Sequence, residues 1–317
     1  MIELRHLTLV LAVAEHRNFG RAARAVSLSQ PALTRSIQVV EEILGVRLFE
    51  RSRSGVELTE FGRMVVESAR SVTQTIRDLE RDIELRKGLA SGSLTIMLAP
   101  YPGVLSGPRA VARFIGEHPA INCHVHSGDW VRATENVLHG NMDVAIADLE
   151  VAAADSKLCL ETLNTSPVIF GCRPGHPLLG RPKLTIDDIS DYPWAATRAP
   201  ARMRTHLPDR ASRCGHWDER TGSFIPAIET DVMSDFAVLA RESDALLVCT
   251  LTMVEADLEA GRVVALPFSA PWFRMNYGVI TRRGRTLPPA VDEFIRIVRE
   301  IEAELNERED HLRRKYL

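Results

Sequence analysis

One short segment carries polar side chains of the types that recognise DNA bases. On a helix through this segment, the side opposite Leu33 comprises Pro31, Arg35, Gln38 and Glu42, with Thr34 at its flank. An arginine can pair with guanine, a glutamine with adenine, and a threonine methyl group can contact the thymine methyl group. The residue types and their spacing therefore predict a helix that reads the major groove of DNA.

The other side of the same helix is apolar. It consists of Leu33, Ile37, Val40 and Leu44, which lie within about 100° of one another on a helical wheel. Ser29 can cap the start of the helix, and Pro31 fits its first turn, where a proline removes no intrahelical bond. An amphipathic hairpin in an ordinary core is the alternative to a DNA-reading helix.

The flanking segments favour the DNA-reading interpretation. A helix is predicted from Leu4 to Glu15, and a second one begins at Phe19 and reaches a tight polar turn before Ser29. The first of these helices would turn Leu4, Leu7, Leu11 and Ala14 towards the core. Together the three helices form a helix-turn-helix domain.

A β-hairpin is predicted after the third helix. The apolar runs Val46–Phe49 and Val56–Leu58 flank the polar turn 51–55, and Arg51 and Arg53 lie at the tip. Arginines in such a wing can contact phosphates or enter the minor groove. The sequence thus predicts a winged helix-turn-helix domain.

This N-terminal stretch resembles the DNA-binding domain of LysR-type transcriptional regulators over about sixty residues. The matching residues are Ala22-Ala23, Leu28 to Arg35, Glu41-Glu42, Leu44-Gly45, Leu48 to Arg51, Leu58-Thr59 and Gly62. Gly20 departs from the family, which usually has Ser or Thr there to cap the second helix. We expect DNA contacts from Ser29, Gln30, Pro31, Thr34, Arg35, Gln38, Arg51 and Arg53.

Bulk charge gives weak attraction to DNA. Residues 1–62 contain eight Arg and seven Glu, a net charge of +1, and the whole chain carries −3. Binding must therefore depend on where the arginines lie and on two copies of the domain acting together.

The next segment predicts such a pairing. The apolar residues spaced four and three apart are Val65, Ala69, Val72, Ile76, Leu79 and Ile83. This is a heptad seam on one long helix, which Thr59 can cap. Packing of the seam on the same chain is the alternative to a dimer. The resemblance favours a homodimer through this linker helix and implies a homotetramer.

Length and composition set the class of the remainder. The 317 residues exceed one typical domain, contain no apolar run of membrane-spanning length, and begin with no signal-peptide pattern, so we expect a cytoplasmic protein. The five cysteines are scattered without a Cys-x-x-Cys pair, which is typical of reduced thiols.

Strand and helix patterns alternate after residue 92, which predicts parallel sheets with helices on their faces. Crossings near 161–164 and 264–268 would divide this part into two Rossmann-like lobes, and the helix 289–306 would return to the first. We expect a winged domain at 1–58, a linker helix at 59–89 and a bilobed domain at 92–317. Lobe I would comprise 92–162 and 268–306, and lobe II 163–267.

The fragments Leu138 to Ile146 and Gly175 to Leu178 resemble the effector-binding part of LysR-type regulators, which is similar to periplasmic binding proteins. In such lobes ligands lie beyond the carboxyl ends of strands. The expected effector-binding residues are Pro100, Tyr101, Gly128, Asp129, Trp130, Arg198, Arg202, Arg204, Met233 and Ser234. The arginines would hold an anionic small molecule, and Tyr101 and Trp130 would stack on it. Packing for Trp130 and a solvated loop for the arginines are the alternatives.

Other chemistry has no pattern to support it. The sequence contains no common metal-ligand spacing, phosphate-binding loop, dinucleotide fingerprint or nucleophile elbow. We therefore expect no metal, no cofactor and no catalysis. The chain is interpreted as a DNA-binding regulator controlled by a small molecule. A redox-sensing regulator using Cys159 and Cys172, and a solute-binding or enzymatic clamshell with an accessory DNA-binding domain, remain the alternatives.

Overall fold

The computed structural model describes residues 1–52, 55–87, 92–209, 212–233, 236–284 and 286–317. The chain divides into two compact units, Met1–Arg86 and Lys87–Leu317. Each unit has its own core and is described by itself.

The first unit begins with three helices: α1 (Leu4–His16), α2 (Phe19–Ala25) and α3 (Gln30–Leu44). Ser29 caps α3, since its hydroxyl accepts from the backbone N–H of Ala32 at 3.3 Å. The cap of α2 is Asn18, whose side-chain Oδ1 accepts from Arg21 N–H at 3.0 Å, so Gly20 lies inside the helix. The expectation of a capping position at Gly20 is therefore wrong.

The core of this unit uses the predicted face of α3, where Leu33, Ile37 and Val40 are buried. For α1 the predicted face is only partly correct, since Leu11 and Ala14 pack at the edge of this core. Leu9, Val10 and Val13 are its buried residues, while Leu4 is 43% exposed. Because apolar residues occur on several sides of α1, periodicity alone does not identify the side that contacts α2 and α3.

The wing is an antiparallel hairpin of β1 (Phe49–Ser52) and β2 (Gly55–Leu58). The first strand begins three residues later than predicted, because Glu41 holds the preceding chain: its carboxylate accepts from Leu48 N–H at 2.7 Å and from Phe49 N–H at 3.3 Å. At Gly62 a Cβ atom would lie 2.0 Å from the Leu48 carbonyl oxygen, so only glycine fits there.

A single long helix, α4 (Glu60–Lys87), follows the wing. Its start is capped as predicted, since the Thr59 hydroxyl accepts from Gly62 N–H at 2.9 Å. No glycine or proline interrupts it after Gly62, so the backbone bonds continue for 28 residues.

Lobe I of the second unit contains a five-stranded sheet in the order β4-β3-β5-β14-β6. The strands are β3 (Gly92–Leu98), β4 (Ile121–Ser127), β5 (Val144–Asp148), β6 (Leu158–Asn164) and β14 (Tyr277–Arg282). Its helices are α5 (Pro100–Val104), α6 (Gly107–Glu117) and α7 (Trp130–Leu138). The strands β3, β4 and β5 are parallel, whereas β14 runs antiparallel to β5 and β6, so the expectation of a purely parallel sheet is wrong.

Lobe II contains a second five-stranded sheet in the order β11-β8-β12-β7-β13, also with mixed directions. Its strands are β7 (Ile169–Cys172), β8 (Trp194–Ala196), β11 (Ile228–Glu229), β12 (Leu246–Cys249) and β13 (Val264–Ala265). The strands β9 (Gly215–Trp217) and β10 (Phe224–Pro226) form a separate hairpin. The helices are α8 (Ile186–Ser190), α9 (Phe236–Glu242) and α10 (Glu255–Glu259).

The two lobe crossings lie later in the chain than predicted. Residues 161–164 belong to the strand β6, and Val264 begins β13, so neither predicted crossing is correct. The crossing segments pair with each other instead: Val168 N–H donates to Phe273 O at 2.9 Å, and Met275 N–H donates to Ser166 O at 2.8 Å. The second of these segments carries residues into the space between the lobes.

The last helix, α11 (Pro289–Tyr316), extends ten residues beyond its predicted end. Its final turns pack against lobe II, where the buried carboxylate of Glu309 accepts from the backbone N–H groups of Leu251 at 3.1 Å and Thr252 at 2.9 Å. This part of the helix is rich in charged residues, and its few apolar residues do not form a pattern that predicts a helix. Contacts with the other lobe stabilise it.

Candidate functional site

The side of α3 predicted to read bases is open. Ser29, Gln30, Pro31, Arg35 and Gln38 are exposed, and Thr34 on the flank is partly buried. The hydroxyl of Ser29 is already engaged as the helix cap. Within the described part of the chain, the side chains of Arg35 and Gln38 form no hydrogen bond or ion pair. Their donors and acceptors are therefore available to a ligand outside the chain.

The wing tip lies largely outside the described residues. Arg51 belongs to β1, but its side chain is not described, and Arg53 lies outside the described residues altogether. One contact fixes the wing against the helices: Val56 N–H donates to the carbonyl oxygen of Arg17 at 3.1 Å. The wing is thus anchored at the turn that precedes α2.

The six residues predicted as a dimer seam divide into two groups. Ala69 is fully buried by the chain itself, and Val65 packs at the edge of the helix-turn-helix core. Further along α4, Val72 is 44% exposed, Leu79 61% and Ile83 45%, while Ile76 is partly buried. The first part of the stripe therefore serves the core of its own unit. The second part presents large apolar side chains to the surroundings.

A cavity of about 100 Å³ lies between the two lobes of the second unit. Its walls come from the loop after β3, the start of α7, the end of β5, the strands β8 and β12, the loop 197–203, the hairpin strand β10 and the crossing segment 273–277. It lies beyond the carboxyl ends of parallel strands, where open α/β folds bind ligands.

Five of the ten predicted effector residues line this cavity: Pro100, Tyr101, Trp130, Arg198 and Arg202. Gly128, Asp129, Arg204 and Met233 do not, and Ser234 lies outside the described residues.

Local packing explains three of these absences. The carboxylate of Asp129 caps α7 by accepting from Arg132 N–H at 2.8 Å. Met233 is buried in the core of lobe II. The guanidinium of Arg204 pairs with Asp209 and lies 5.3 Å from the centre of the Trp217 ring.

The arginine predicted as an anion clamp is already occupied. The guanidinium of Arg202, on lobe II, forms two hydrogen bonds with Asp148 of lobe I at 2.8 and 2.5 Å and one with Glu150 at 2.8 Å. Burial disfavours its charge, but the two carboxylates still hold the pKa of Arg202 above its ordinary value. Arg198 forms one ion-paired hydrogen bond, from its Nε to Glu229 at 2.5 Å. The Arg202 guanidinium is therefore occupied by carboxylates of the chain, whereas Arg198 has one such contact.

Tyr101 and Trp130 combine structural roles with a place in the cavity wall. The Tyr101 hydroxyl, on lobe I, donates to the Val248 carbonyl oxygen of lobe II at 2.9 Å, and burial raises its pKa. Trp130 is only 8% exposed and packs in the core of lobe I. The lobes are thus joined across the cavity by one neutral hydrogen bond and by the ion pairs of Arg202.

The remaining wall residues were not named individually as effector-binding residues, although some lie in the loops 100–103 and 197–204 that follow predicted strands. They are Ala99, Pro102, Asp148, Val168, Trp194, Ala196, Thr197, Ala199, Pro200, Met203, Leu207, Phe224, Pro226, Val248, Phe273, Arg274, Met275, Asn276 and Tyr277. Many belong to apolar runs that read as ordinary core strands. These residues become neighbours only because the two crossing segments bring both lobes together.

The cysteines show no sign of redox chemistry. All five are free, and three are buried: Cys172, Cys214 and Cys249. Burial raises the pKa of Cys172 to about 12, which disfavours the reactive thiolate. Cys159 and Cys172 lie on strands of different sheets.

One cluster within the described residues has metal-ligand chemistry, formed by Glu117, His118 and Glu293. Arg296 already supplies its positive charge, with contacts of 3.6 Å to Glu117 and 2.6 Å to Glu293. The cluster is therefore an ion-pair network on the surface of lobe I.

Comparison with known proteins identifies the class. Residues 4–63 match the family described as bacterial regulatory helix-turn-helix protein, lysR family, and residues 87–302 match the LysR substrate binding domain. The chain is 38% identical over 296 residues to the SDS degradation transcriptional activation protein of Pseudomonas sp. (strain ATCC 19151), covering 92% of this chain and 94% of the relative. It is 28% identical over 292 residues to the transcriptional regulator GbpR of Azospirillum brasilense, covering 91% and 83%.

Solved structures agree on the fold. The LysR family regulator CbnR superposes with a TM-score of 0.58 at 18% identity, covering 95% of this chain and 99% of CbnR. Full-length BenM gives 0.53 at 19% identity, covering 96% and 98%.

The chain belongs to the LysR family of bacterial transcriptional regulators. It is a transcriptional regulator with an N-terminal DNA-binding domain and a C-terminal domain that binds a small-molecule effector. Its relatives are likewise named as transcriptional regulators. Among the described residues, no helix is both long and apolar enough to cross a membrane.

Proposed function

We propose that the cavity between the lobes is the effector site of this regulator, and that the exposed side of α3 reads the operator. The observation that carries the proposal is the pair of links across the cavity. Arg202 joins lobe II to Asp148 and Glu150 of lobe I, and Tyr101 joins lobe I to Val248 of lobe II. A ligand that contacts both lobes can favour one lobe arrangement to the extent that it binds that arrangement more tightly.

On the DNA side, Thr34, Arg35 and Gln38 are proposed to contact base edges. Ser29, Gln30 and Pro31 are proposed to lie next to the DNA backbone. Support comes from the exposure of Arg35 and Gln38 and from their side-chain donors, which form no hydrogen bond among the described residues. Arg51 and Arg53 are proposed to contact phosphates beside the wing, following the sequence prediction alone.

The assembly is proposed to be a homodimer through α4, and two dimers would form a tetramer. Val72, Leu79 and Ile83 support the dimer, because large apolar side chains on one side of a long helix gain stability by burial against a second copy. The residues Val65, Ala69 and Ile76 continue the same stripe. Two copies would place two DNA-reading helices on two half-sites.

The chain is proposed to act without catalysis and in the cytoplasm, where bacterial DNA is located. The names of its relatives support a regulatory role. The first relative is named for SDS degradation, so alkyl sulfates belong among the first compounds to test as effectors.

A cavity-filling variant tests the effector site. Ala196 lies in the cavity wall and is 6% exposed, so Ala196→Leu should occupy part of the space and weaken effector binding at least tenfold by calorimetry. Ala153→Leu, on an exposed alanine outside the wall, is the control and should leave the affinity unchanged. An effector that binds the wild type and Ala196→Leu equally well lies elsewhere, and the proposed site is then wrong.

A further inference from the structure

We propose that the effector is an amphipathic molecule, with an apolar chain or ring buried in the cavity and one anionic head group at Arg274. This inference rests on the proposed function, since it takes the cavity between the lobes as the effector site. It assigns the chemical class of the effector from the walls of that cavity.

The walls are aromatic and apolar. Six of the 18 aromatic residues in the chain line this one cavity: Tyr101, Trp130, Trp194, Phe224, Phe273 and Tyr277. Aliphatic and thioether side chains fill the gaps between the rings, including Val168, Met203, Leu207 and Met275. A wall of this composition favours ligands that gain free energy by leaving water.

Of the four wall rings that carry a polar group, three are already satisfied by the protein, and the fourth is the indole of Trp130. The hydroxyl of Tyr101 donates to Val248 O at 2.9 Å, and the indole N–H of Trp194 donates to Ile189 O at 3.1 Å. The hydroxyl of Tyr277 donates to the buried carboxylate of Glu302 at 3.0 Å. A sugar or a small diacid would therefore bury several polar groups against rings that offer at most one donor, the indole N–H of Trp130, at a substantial cost in binding.

The charges of the wall leave one cation for a head group. The charge of Arg202 is balanced by Asp148 and Glu150, and that of Arg198 by Glu229. Arg274 lines the cavity and is exposed, which places it at the mouth. Its Nε donates to the carbonyl oxygen of Thr165 at 2.8 Å, and among the described residues it forms no ion pair. One uncompensated positive charge at the mouth fits one negative charge on the ligand.

The volume of the cavity also limits the size of the ligand. The cavity of about 100 Å³ is several times the roughly 10–15 Å³ that one water molecule needs, so it admits an organic body. Each methylene group that enters such a wall should strengthen binding about fourfold. The gain should stop once the chain fills the space.

Calorimetric titration of the full-length protein tests the class. The probes are hexanoate, octanoate, decanoate and octyl sulfate below their micellar concentrations, with 1-octanol and succinate for comparison. We expect affinity to rise about fourfold per methylene along the carboxylates until it levels off. The octanoate and octyl sulfate arms tell a carboxylate head from a sulfate head. Tight binding of succinate, or a chain-length series without slope, overturns the proposal.

Two matched arginine variants test the head group. Arg274→Gln removes the charge at the mouth and should weaken octanoate and octyl sulfate about tenfold while leaving 1-octanol unchanged. Arg283→Gln is the control, because Arg283 is also exposed and donates from Nε to one carbonyl, that of Leu158 at 3.1 Å, away from the cavity. Equal losses for the anions and the alcohol, or equal effects of the two variants, contradict the role of Arg274.

The outcome also separates this inference from the proposed function. If another compound binds and Ala196→Leu abolishes that binding, the cavity is the effector site and only the amphipathic class is wrong. If an alkyl anion binds the wild type and Ala196→Leu with equal affinity, the proposed site itself is wrong. Denaturation by the probes is recognised separately, because a specific ligand raises the melting temperature of the protein and a denaturing amphiphile lowers it.

Discussion

The two regions proposed to bind ligands are built in opposite ways. On α3, Arg35 and Gln38 are exposed and form no bond within the described chain, so their polar groups await a partner. In the cavity, Arg198 and Arg202 are paired with carboxylates and the rings are buried. The first surface can lose a side chain without harm to the fold, whereas the walls of the second also hold the lobes together. Substitutions should therefore separate binding from stability on α3 and combine them in the cavity.

The largest effect is expected from the exposed part of the α4 stripe. It differs from both regions because it is proposed to bind a second copy of the chain. Replacing Ile76 and Leu79 by Glu places charges where a second copy would pack, so the dimer should dissociate. Loss of two-site binding should lower the affinity for a two-half-site operator about 10³-fold. Sedimentation velocity and fluorescence anisotropy measure the two effects.

Ser71→Glu is the control for the seam variant, because Ser71 is exposed on the same helix outside the stripe. It should leave the dimer intact. A double variant that still sediments as a dimer would show that α4 is not the principal interface.

The second prediction concerns the cavity wall. Trp130→Ala removes a ring that is 8% exposed and packed in the core of lobe I, so the free energy of unfolding of the second unit should fall by about 3 kcal/mol. Effector affinity should fall in the same variant. Urea denaturation followed by tryptophan fluorescence, with calorimetry for the ligand, measures both. A loss of affinity with unchanged stability would contradict the combined role of this wall.

The third prediction is the counterpart on α3. Arg35→Ala should weaken binding to the specific operator by about 1–3 kcal/mol and relax the base preference at one position. The melting temperature should not change, since Arg35 is exposed and packs no core. Arg24→Ala, also exposed, is the control. Equal losses on specific and random DNA would assign Arg35 to the phosphate backbone instead of a base.

The same contrast explains what the sequence could predict. The DNA-reading residues lie within ten positions of one helix, so the helical repeat alone placed Leu33, Ile37 and Val40 inside and Arg35 outside. Two apolar runs around a polar turn then predicted the wing, and the heptad spacing predicted the linker helix. Local periodicity is enough for a site that one element carries.

The cavity could not be predicted in this way, because its residues are spread from Ala99 to Tyr277. Tyr101 and Trp130 were found because they follow strands near the expected ligand position. Arg274 was missed because it lies in a crossing segment whose position depends on the pairing with 165–168. Likewise, the partners of Arg202 are more than fifty positions away in sequence. The sequence of an arginine-rich loop therefore does not show that the fold pairs its arginines with distant carboxylates.

The smallest effect is expected from pH, and it should fall on lobe II alone. His176 is 2% exposed, and its Nδ1 accepts from Leu178 N–H at 3.2 Å. Burial lowers its pKa in the folded protein, against the opposing influence of Asp244 and with a further lowering by Arg173. The unfolded chain then binds a proton more readily than the folded one, so acid destabilises the fold.

This loss of stability should begin as the pH falls through about 6.5, the ordinary pKa of the imidazole, and should be complete below the lowered pKa of the folded protein. Urea denaturation of the second unit at a series of pH values between 8 and about 5 measures it, with the wild type and His176→Asn compared at each pH. Asparagine cannot titrate, so its curve should be flatter over this interval. Because His176 and the residues around it belong to the second unit, DNA binding per folded molecule should not change with pH as the stability does. Parallel curves for the two proteins would show that groups other than His176 set the acid response. Lobe II would then not differ from the rest of the molecule in its response to acid.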